Sequence, residues 1–215
     1  MYFDEFLERI PKLEKIPLTG VSSHLKLAPS ERINSLLNMS IDKQKVRSAA
    51  VLSLIYKNKD KEACMVLTKR RAYEGVHSNQ ISFPGGKPEK HDSDLQATAI
   101  RETEEEIGIQ KNKIELIRQL TDIFIPPSNF LVSPFLGYTN STPQFIKQDS
   151  EVESIISIRI KDLMSDEFLT HRLMDTSYAV KIDVPAFDFD GNVVWGATAM
   201  MLSEIKDLLK NTLLF

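Results

Sequence analysis

Arg101-Glu102-Thr103-Glu104-Glu105-Glu106-Ile107-Gly108 decides how this chain is read. On a helix turning about 100° per residue, Glu102, Glu105 and Glu106 fall within roughly a 100° arc of one face. Ala99, Ile100, Thr103 and Ile107 cover the adjoining arc. One stripe therefore enters a core and the three carboxylates stand at its edge. Ser93 offers an N-cap, with Gln96 three residues on as a capping box. Gly108 supplies a left-handed C-terminal cap. The spacing predicts a helix from Asp94 to Ile107.

The pattern is locally unfavourable. Glu102 opposes Glu105 at i,i+3 and Glu106 at i,i+4, each pair costing roughly 0.2–0.5 kcal/mol on an exposed helix. These acids also sit in the last turns, where the macrodipole prefers cations. Failures of local consistency tend to mark functional sites. A divalent cation reverses the sign of every one of these terms, and carboxylate oxygens are the donors that magnesium or manganese prefers. A solvated acidic helix end is the bland alternative. The flanks weigh against it: Arg101 directly precedes Glu102, Gly108 closes the helix, and Gly85-Gly86 follows a short strand upstream.

Working outward, Ala49 to Tyr56 and Ala63 to Thr68 read as buried strands separated by the polar turn Lys57 to Lys61. Gln80 to Phe83 reads as a short strand ending at Pro84-Gly85-Gly86. Later strands are predicted at Ile114–Leu120, Leu131–Tyr138 and Ser154–Ile160. A hairpin is predicted from Ala179–Phe189 to Val193–Trp195 through Asp190-Gly191-Asn192. An amphipathic helix from Ala197 to Leu209 closes the chain. This order argues an α/β layer fold, a mixed sheet between helices. Residues 1–45 differ. Phe3, Phe6, Leu7 and Ile10 recur at helical spacing until Pro11 interrupts, and a second short helix runs from Ser30 through Leu37. This N-terminal helical arm is expected to pack on a main domain of residues 46–215, or to serve a homodimer interface.

The 215 residues are 42% hydrophobic and 27% charged, with a formal net charge of -3. That balance argues against a general nucleic-acid binder, so an anionic substrate must be met locally. The single cysteine, Cys64, forbids an intrachain disulfide. It sits in an apolar run and reads as a buried small hydrophobe. No stretch approaches the ~18 apolar residues of a membrane helix, and the acidic start resembles neither a signal nor a transit peptide. A cytoplasmic location with no membrane partner is the expectation.

The helix and its flanks resemble the Nudix box, the signature of the Nudix hydrolase family: Gly, five residues, Glu, seven residues, Arg-Glu, an aliphatic, any residue, Glu-Glu, any residue, Gly, an aliphatic. The second half reads Arg101-Glu102, Thr103, Glu104, Glu105-Glu106, Ile107, Gly108, Ile109. Thr103 replaces the aliphatic, Asp92 stands in place of the first Glu after Gly86, and eight residues separate Asp92 from Arg101. The longer loop looks like the coenzyme A pyrophosphatase subgroup, as do Phe83-Pro84-Gly85-Gly86, Thr68, Arg70, His77 and Gln80. Arg71, Gly75 and Asn79 depart from that subgroup's pattern. Ile125 to Phe130 with Val132 and Pro134-Phe135, and Val194 to Ala199, are similar to it as well.

The resemblance implies an α/β/α sandwich and hydrolysis of a diphosphate linkage in a nucleotide substrate, with Mg²⁺ or Mn²⁺ as cofactor. Glu105 and Glu106 would be the central metal ligands, with Glu102 a third ligand or the base and the Gly85 carbonyl completing the shell. Arg101 would orient Glu102 or its neighbours through a bidentate ion pair. The base comes from the box in some members and from a later loop in others, where Glu151 and Glu153 are the candidates. Arg70, His77, Gln80, Lys87 and Ser128 are the expected substrate contacts, and Trp195 reads as core. Coenzyme A or an acyl derivative leads among substrates. ADP-ribose, dinucleotides and nucleoside triphosphates are the alternatives. A non-catalytic nucleotide-sensing module and a purely structural acidic helix are the competing classes.

Overall fold

A computed structural model describes residues 1–38, 45–71, 80–174 and 181–213. The arm holds helices α1 (Phe3–Leu7), α2 (Ile10–Leu13), α3 (Val21–His24) and α4 (Ser30–Asn38). Strands β1 (Arg47–Lys57), β2 (Ala63–Arg70), β3 (Ile81–Ser82) and β4 (Gly85–Gly86) follow, then helix α5 (Leu95–Ile107). Next come β5 (Glu115–Gln119), β6 (Ile123–Ile125), β7 (Phe130–Thr139), β8 (Val152–Arg159) and helix α6 (Ile160–Met164). Strands β9 (Leu169–Met174), β10 (Ile182–Phe189) and β11 (Asn192–Trp195) lead into helix α7 (Gly196–Asn211).

The larger sheet runs β3-β2-β1-β7-β5, with β4 on β1, β6 on β7 and β8 on β2. It is mixed. β1 and β7 are parallel, from Arg47 opposite Phe130 to Tyr56 opposite Thr139, whereas β2 and β4 lie antiparallel to β1. A parallel pair needs a long crossover, and α5 lies in that connection. β9, β10 and β11 form a separate antiparallel sheet.

Alternation along β1 and β2 builds the layers, because successive side chains leave a strand on opposite faces. Ala50, Leu52, Leu54 and Tyr56, with Cys64 and Val66, pack on Ala99 and Ile107 of α5. Ile55, Ala63, Met65 and Leu67 point the other way, toward Met200, Leu202 and Ile205 of α7 and Phe3, Phe6 and Leu13 of the arm. The result is the expected α/β/α sandwich. Both sheet faces are covered, which is why the two strands read as near-continuous apolar runs. Cys64 is buried, and burial raises its thiol pKa. No helix among the described residues is long and apolar enough to cross a membrane.

Local details correct the sequence reading. α5 begins at Leu95, and Asp94, not Ser93, caps it by accepting from Ala97 N at 2.7 Å. A carboxylate gains from the helix dipole where a hydroxyl does not. α1 stops at Leu7, and Pro11 opens the next turn of helix instead of ending the first. The hairpin turn is Asp190-Gly191 alone, with φ of 54° and 87°, and Asn192 already pairs with Phe189. Residues 175–180, where β10 was expected to begin, lie outside the described residues.

Candidate active site

β4 lays Gly85 against Val51 and Gly86 against Ala50. A Cβ on Gly85 would stand 2.3 Å from the Ala50 carbonyl oxygen, so only glycine lets this strand close. A Cβ on Gly86 would stand 2.3 Å from Glu102 Oε1. The missing side chain is the space into which the Glu102 carboxylate fits.

The three box glutamates occupy three environments. Glu106, expected at the edge of the apolar stripe, is inside it at 3% exposure. Its carboxylate accepts from the Gly85 N–H, and Thr68 Oγ1 lies 3.5 Å from it. Burial, then the like charges of Glu102 and Glu151, push its pKa up to about 8 against the opposing charge of Arg70. Glu102 is shifted upward too, chiefly by burial. Arg101 opposes that shift, and Glu105 and Glu151 add to it. Glu105 is half exposed and lies along Arg101 Nη1 at 3.0 Å.

Arg101 is the hub. Its Nε and Nη2 grip the two oxygens of Asp92, each at 3.0 Å. Nη2 also donates to the Lys87 carbonyl at 3.0 Å, and Nη1 lies 3.1 Å from Glu102 Oε1. The bidentate pair, expected with Glu102 or its neighbours, is made with Asp92, whose two oxygens face the guanidinium across the loop, while Glu102 and Glu105 share the one remaining nitrogen. Asp92 also accepts from Glu89 N and Thr98 Oγ1, each at 2.9 Å. Arg101, first among its contacts, holds its carboxyl well below the usual range. The residue that departs from the box pattern thus ties the longer loop to the helix. Only its position, where the pattern has Glu, signalled it in the sequence.

Among the described residues no three Asp, Glu, His or Cys side chains converge tightly enough to hold one ion between them. Glu102 and Glu106 act on one another through their like charges, whereas Glu105 leans to Arg101. The donor chemistry still suits a hard divalent cation. The like charges of Glu102 and Glu151 bear on Glu106, which has no ion-pair partner among the described residues.

The remaining candidates divide. Glu151 acts electrostatically on both Glu102 and Glu106, whereas Glu153 is held by Lys69 at 2.9 Å. Arg70 closes β2, its N–H donating to the Gln80 carbonyl at 2.9 Å, and its charge reaches Glu106. Ser128 is buried with its hydroxyl 3.4 Å from the Ile125 carbonyl, so it shapes the turn before β7. Trp195 is half-buried at the N-cap of α7. His77 lies outside the described residues.

Residues 46–174, well over half of the chain, match the NUDIX domain family. Nudix hydrolase 15, mitochondrial, of Arabidopsis thaliana is 30% identical over 173 residues, which cover 77% of this chain and 60% of that protein. This chain thus spans about three fifths of that relative's length. Nudix hydrolase NudL of Photorhabdus laumondii is 27% identical over 159 residues, covering 74% of this chain and 82% of that protein. The crystal structure of RenU, a Nudix hydrolase from M. smegmatis, superimposes with a TM-score of 0.53 at 11% identity, over 77% of this chain and 86% of that one. That likeness shows a shared fold.

Proposed function

The chain belongs to the Nudix family, and on that premise we propose that it hydrolyses the diphosphate linkage of a nucleoside diphosphate derivative with a divalent metal. The substrate we favour is coenzyme A or acyl-CoA, giving adenosine 3′,5′-bisphosphate and 4′-phosphopantetheine (from an acyl-CoA, its acyl form). The observation that carries the chemistry is the set of carboxylates around Glu106: a buried acid, raised to about 8 chiefly by burial and also by the like charges of Glu102 and Glu151. Such a cluster destabilises the fold unless a cation offsets it. The choice of substrate rests on Phe83-Pro84-Gly85-Gly86, Thr68, Arg70 and Gln80 and on the longer loop before Arg101.

Glu102, Glu105, Glu106 and the Gly85 carbonyl are the groups proposed to hold Mg²⁺ or Mn²⁺. When bound, the ion neutralises the non-bridging diphosphate oxygens and lowers the pKa of water. Arg101, anchored by Asp92, fixes the backbone of Lys87 and one oxygen of Glu102, so the loop and the helix present their groups together. Arg70 and Lys87 bind phosphate oxygens, and Gln80 and His77 are the further substrate contacts proposed from the sequence. Glu151 accepts the proton of the attacking water as its oxygen bonds to phosphorus and the anhydride P–O bond breaks.

The test is a substrate panel of coenzyme A, ADP-ribose, a dinucleotide and a nucleoside triphosphate with Mg²⁺ and with Mn²⁺, products identified by mass. Coenzyme A is expected to give the two named products in a metal-dependent reaction. Cleavage of ADP-ribose alone would overturn the substrate and leave the chemistry. No cleavage of any member would overturn both.

A further inference from the structure

Phe130 opens β7 directly beside Arg47, the first residue of β1. The guanidinium carbon of Arg47 lies 4.2 Å from the Phe130 ring centroid, and Lys87 Nζ approaches the same ring to 5.8 Å. Three chain segments are brought together here. The turn before Phe130 is fixed by Arg47, whose side chain donates to the Ser128 carbonyl and whose N–H donates to Asn129 O at 2.9 Å. Asn129 in turn donates from Nδ2 to Lys45 O at 3.0 Å and adopts a left-handed φ of 53°. Lys87 is fixed at its backbone by Arg101. Arg47 and Lys87 are both exposed, and among the described residues neither meets a carboxylate.

Two unneutralised cations on one aromatic ring repel each other unless an anion joins them, and the ring quadrupole offsets only part of that. The place of Arg47 along β1 says where that anion belongs. Ala50 lies opposite Gly86, which cradles Glu102. Arg47 stands three residues back, about 10 Å at roughly 3.3 Å per residue. Arg47 is therefore set off from the carboxylates along β1, too far to grip the scissile diphosphate that those carboxylates serve, whereas Lys87 directly follows Gly86 and reaches from there toward the same ring.

We propose that Arg47 and Lys87, held on the face of Phe130, form a subsite for a second phosphate of the nucleotide, one separate from the diphosphate that is cut. The subsite rests on the reading of the carboxylate site as a nucleotide diphosphatase, and it would make the enzyme select substrates that carry this extra phosphate. A phosphate on the ribose and a phosphate further along the chain share the required chemistry.

Calorimetric binding of three adenosine nucleotides, in buffer with Mg²⁺, tests the subsite and separates the two sources. The ligands are the 5′-monophosphate, the 3′,5′-bisphosphate and the 5′-diphosphate. The wild type is expected to bind one of the two-phosphate ligands about tenfold more tightly than the monophosphate, the scale of one or two charge-assisted contacts. Lys87→Met is expected to erase that preference and Arg47→Met to do the same, while Lys90→Met, an exposed lysine in the same loop, keeps it. Tighter binding of the 3′,5′-bisphosphate identifies a ribose phosphate, and tighter binding of the 5′-diphosphate a chain phosphate. Equal affinity for all three, or a preference that survives Lys87→Met, overturns the subsite but not the diphosphatase reading. Failure of every nucleotide to bind, with no turnover in the substrate panel, overturns both.

Discussion

Replacing Glu106 by Gln should make the protein more stable and less active, and the structure sets the size of the effect. A glutamate in the unfolded chain loses its proton near 4.5, and in the fold Glu106 keeps it to about 8. Below 4.5 both states are protonated and the residue is neutral in its effect. As pH rises from 4.5 to 8 the unfolded chain releases a proton that the fold retains, so stability falls through this window. Above 8 the penalty is complete. At pH 7 the gap of 2.5 units corresponds to about 3 kcal/mol at roughly 1.4 kcal/mol per unit. Glutamine keeps an oxygen for the Gly85 N–H and presents an amide to Glu102 and Glu151 in place of a like charge. With a chelator present, Glu106→Gln should therefore melt about 6–12 °C above wild type at pH 7, at roughly 2–4 °C per kcal/mol for a chain of this size. The difference should shrink toward zero near pH 5. Added Mg²⁺ should raise the melting temperature of the wild type and not of the variant. Scanning calorimetry between pH 5 and 9 gives the comparison. A variant no more stable than wild type at pH 8 would refute the view that Glu106 is a strained, buried acid.

Gly86→Ala forces the Glu102 carboxylate aside, since the new methyl would sit 2.3 Å from Oε1. Turnover should fall by about 10²-fold, the scale of a displacement near 1 Å at a reacting centre, while circular dichroism shows an intact fold. Asp92→Asn removes the charged, two-pronged partner of Arg101. Urea denaturation should show a loss of about 1–3 kcal/mol, with kcat reduced more than KM is changed. Glu204→Ala tests how the arm is held. This fully buried carboxylate accepts from Thr121 Oγ1 at 2.7 Å and from Gly20 N at 3.1 Å, and faces His24 Nε2 at 3.2 Å. Its loss should cost about 3 kcal/mol in the same denaturation assay.

The parts of this molecule that were legible in the sequence are those set by local rules. Helix α5, its Gly108 cap and the paired strands β1 and β2 follow from periodicity and from residues that punctuate the chain. β9 was not seen because Thr170, His171 and Arg172 lie on an exposed strand with no apolar alternation. At the site, the glutamate arc on α5 was visible, but which acid is buried was not, since that depends on Gly85 and Thr68 reaching the helix from other elements. Glu151 and Glu153 are equivalent in sequence. Only the fold separates them, by giving Glu153 to Lys69 and aiming the field of Glu151 at Glu106. Arg47 carried no signal at all, because its meeting with Phe130 is created by the parallel pairing of two strands more than seventy residues apart.

A titration of Mn²⁺ followed by electron paramagnetic resonance probes the metal site without relying on turnover. Wild-type protein should remove the signal of free Mn²⁺ saturably, and a Glu102→Gln/Glu106→Gln double variant that remains folded should leave it essentially unchanged. Superimposable titration curves for the two proteins would contradict a metal site built on these carboxylates.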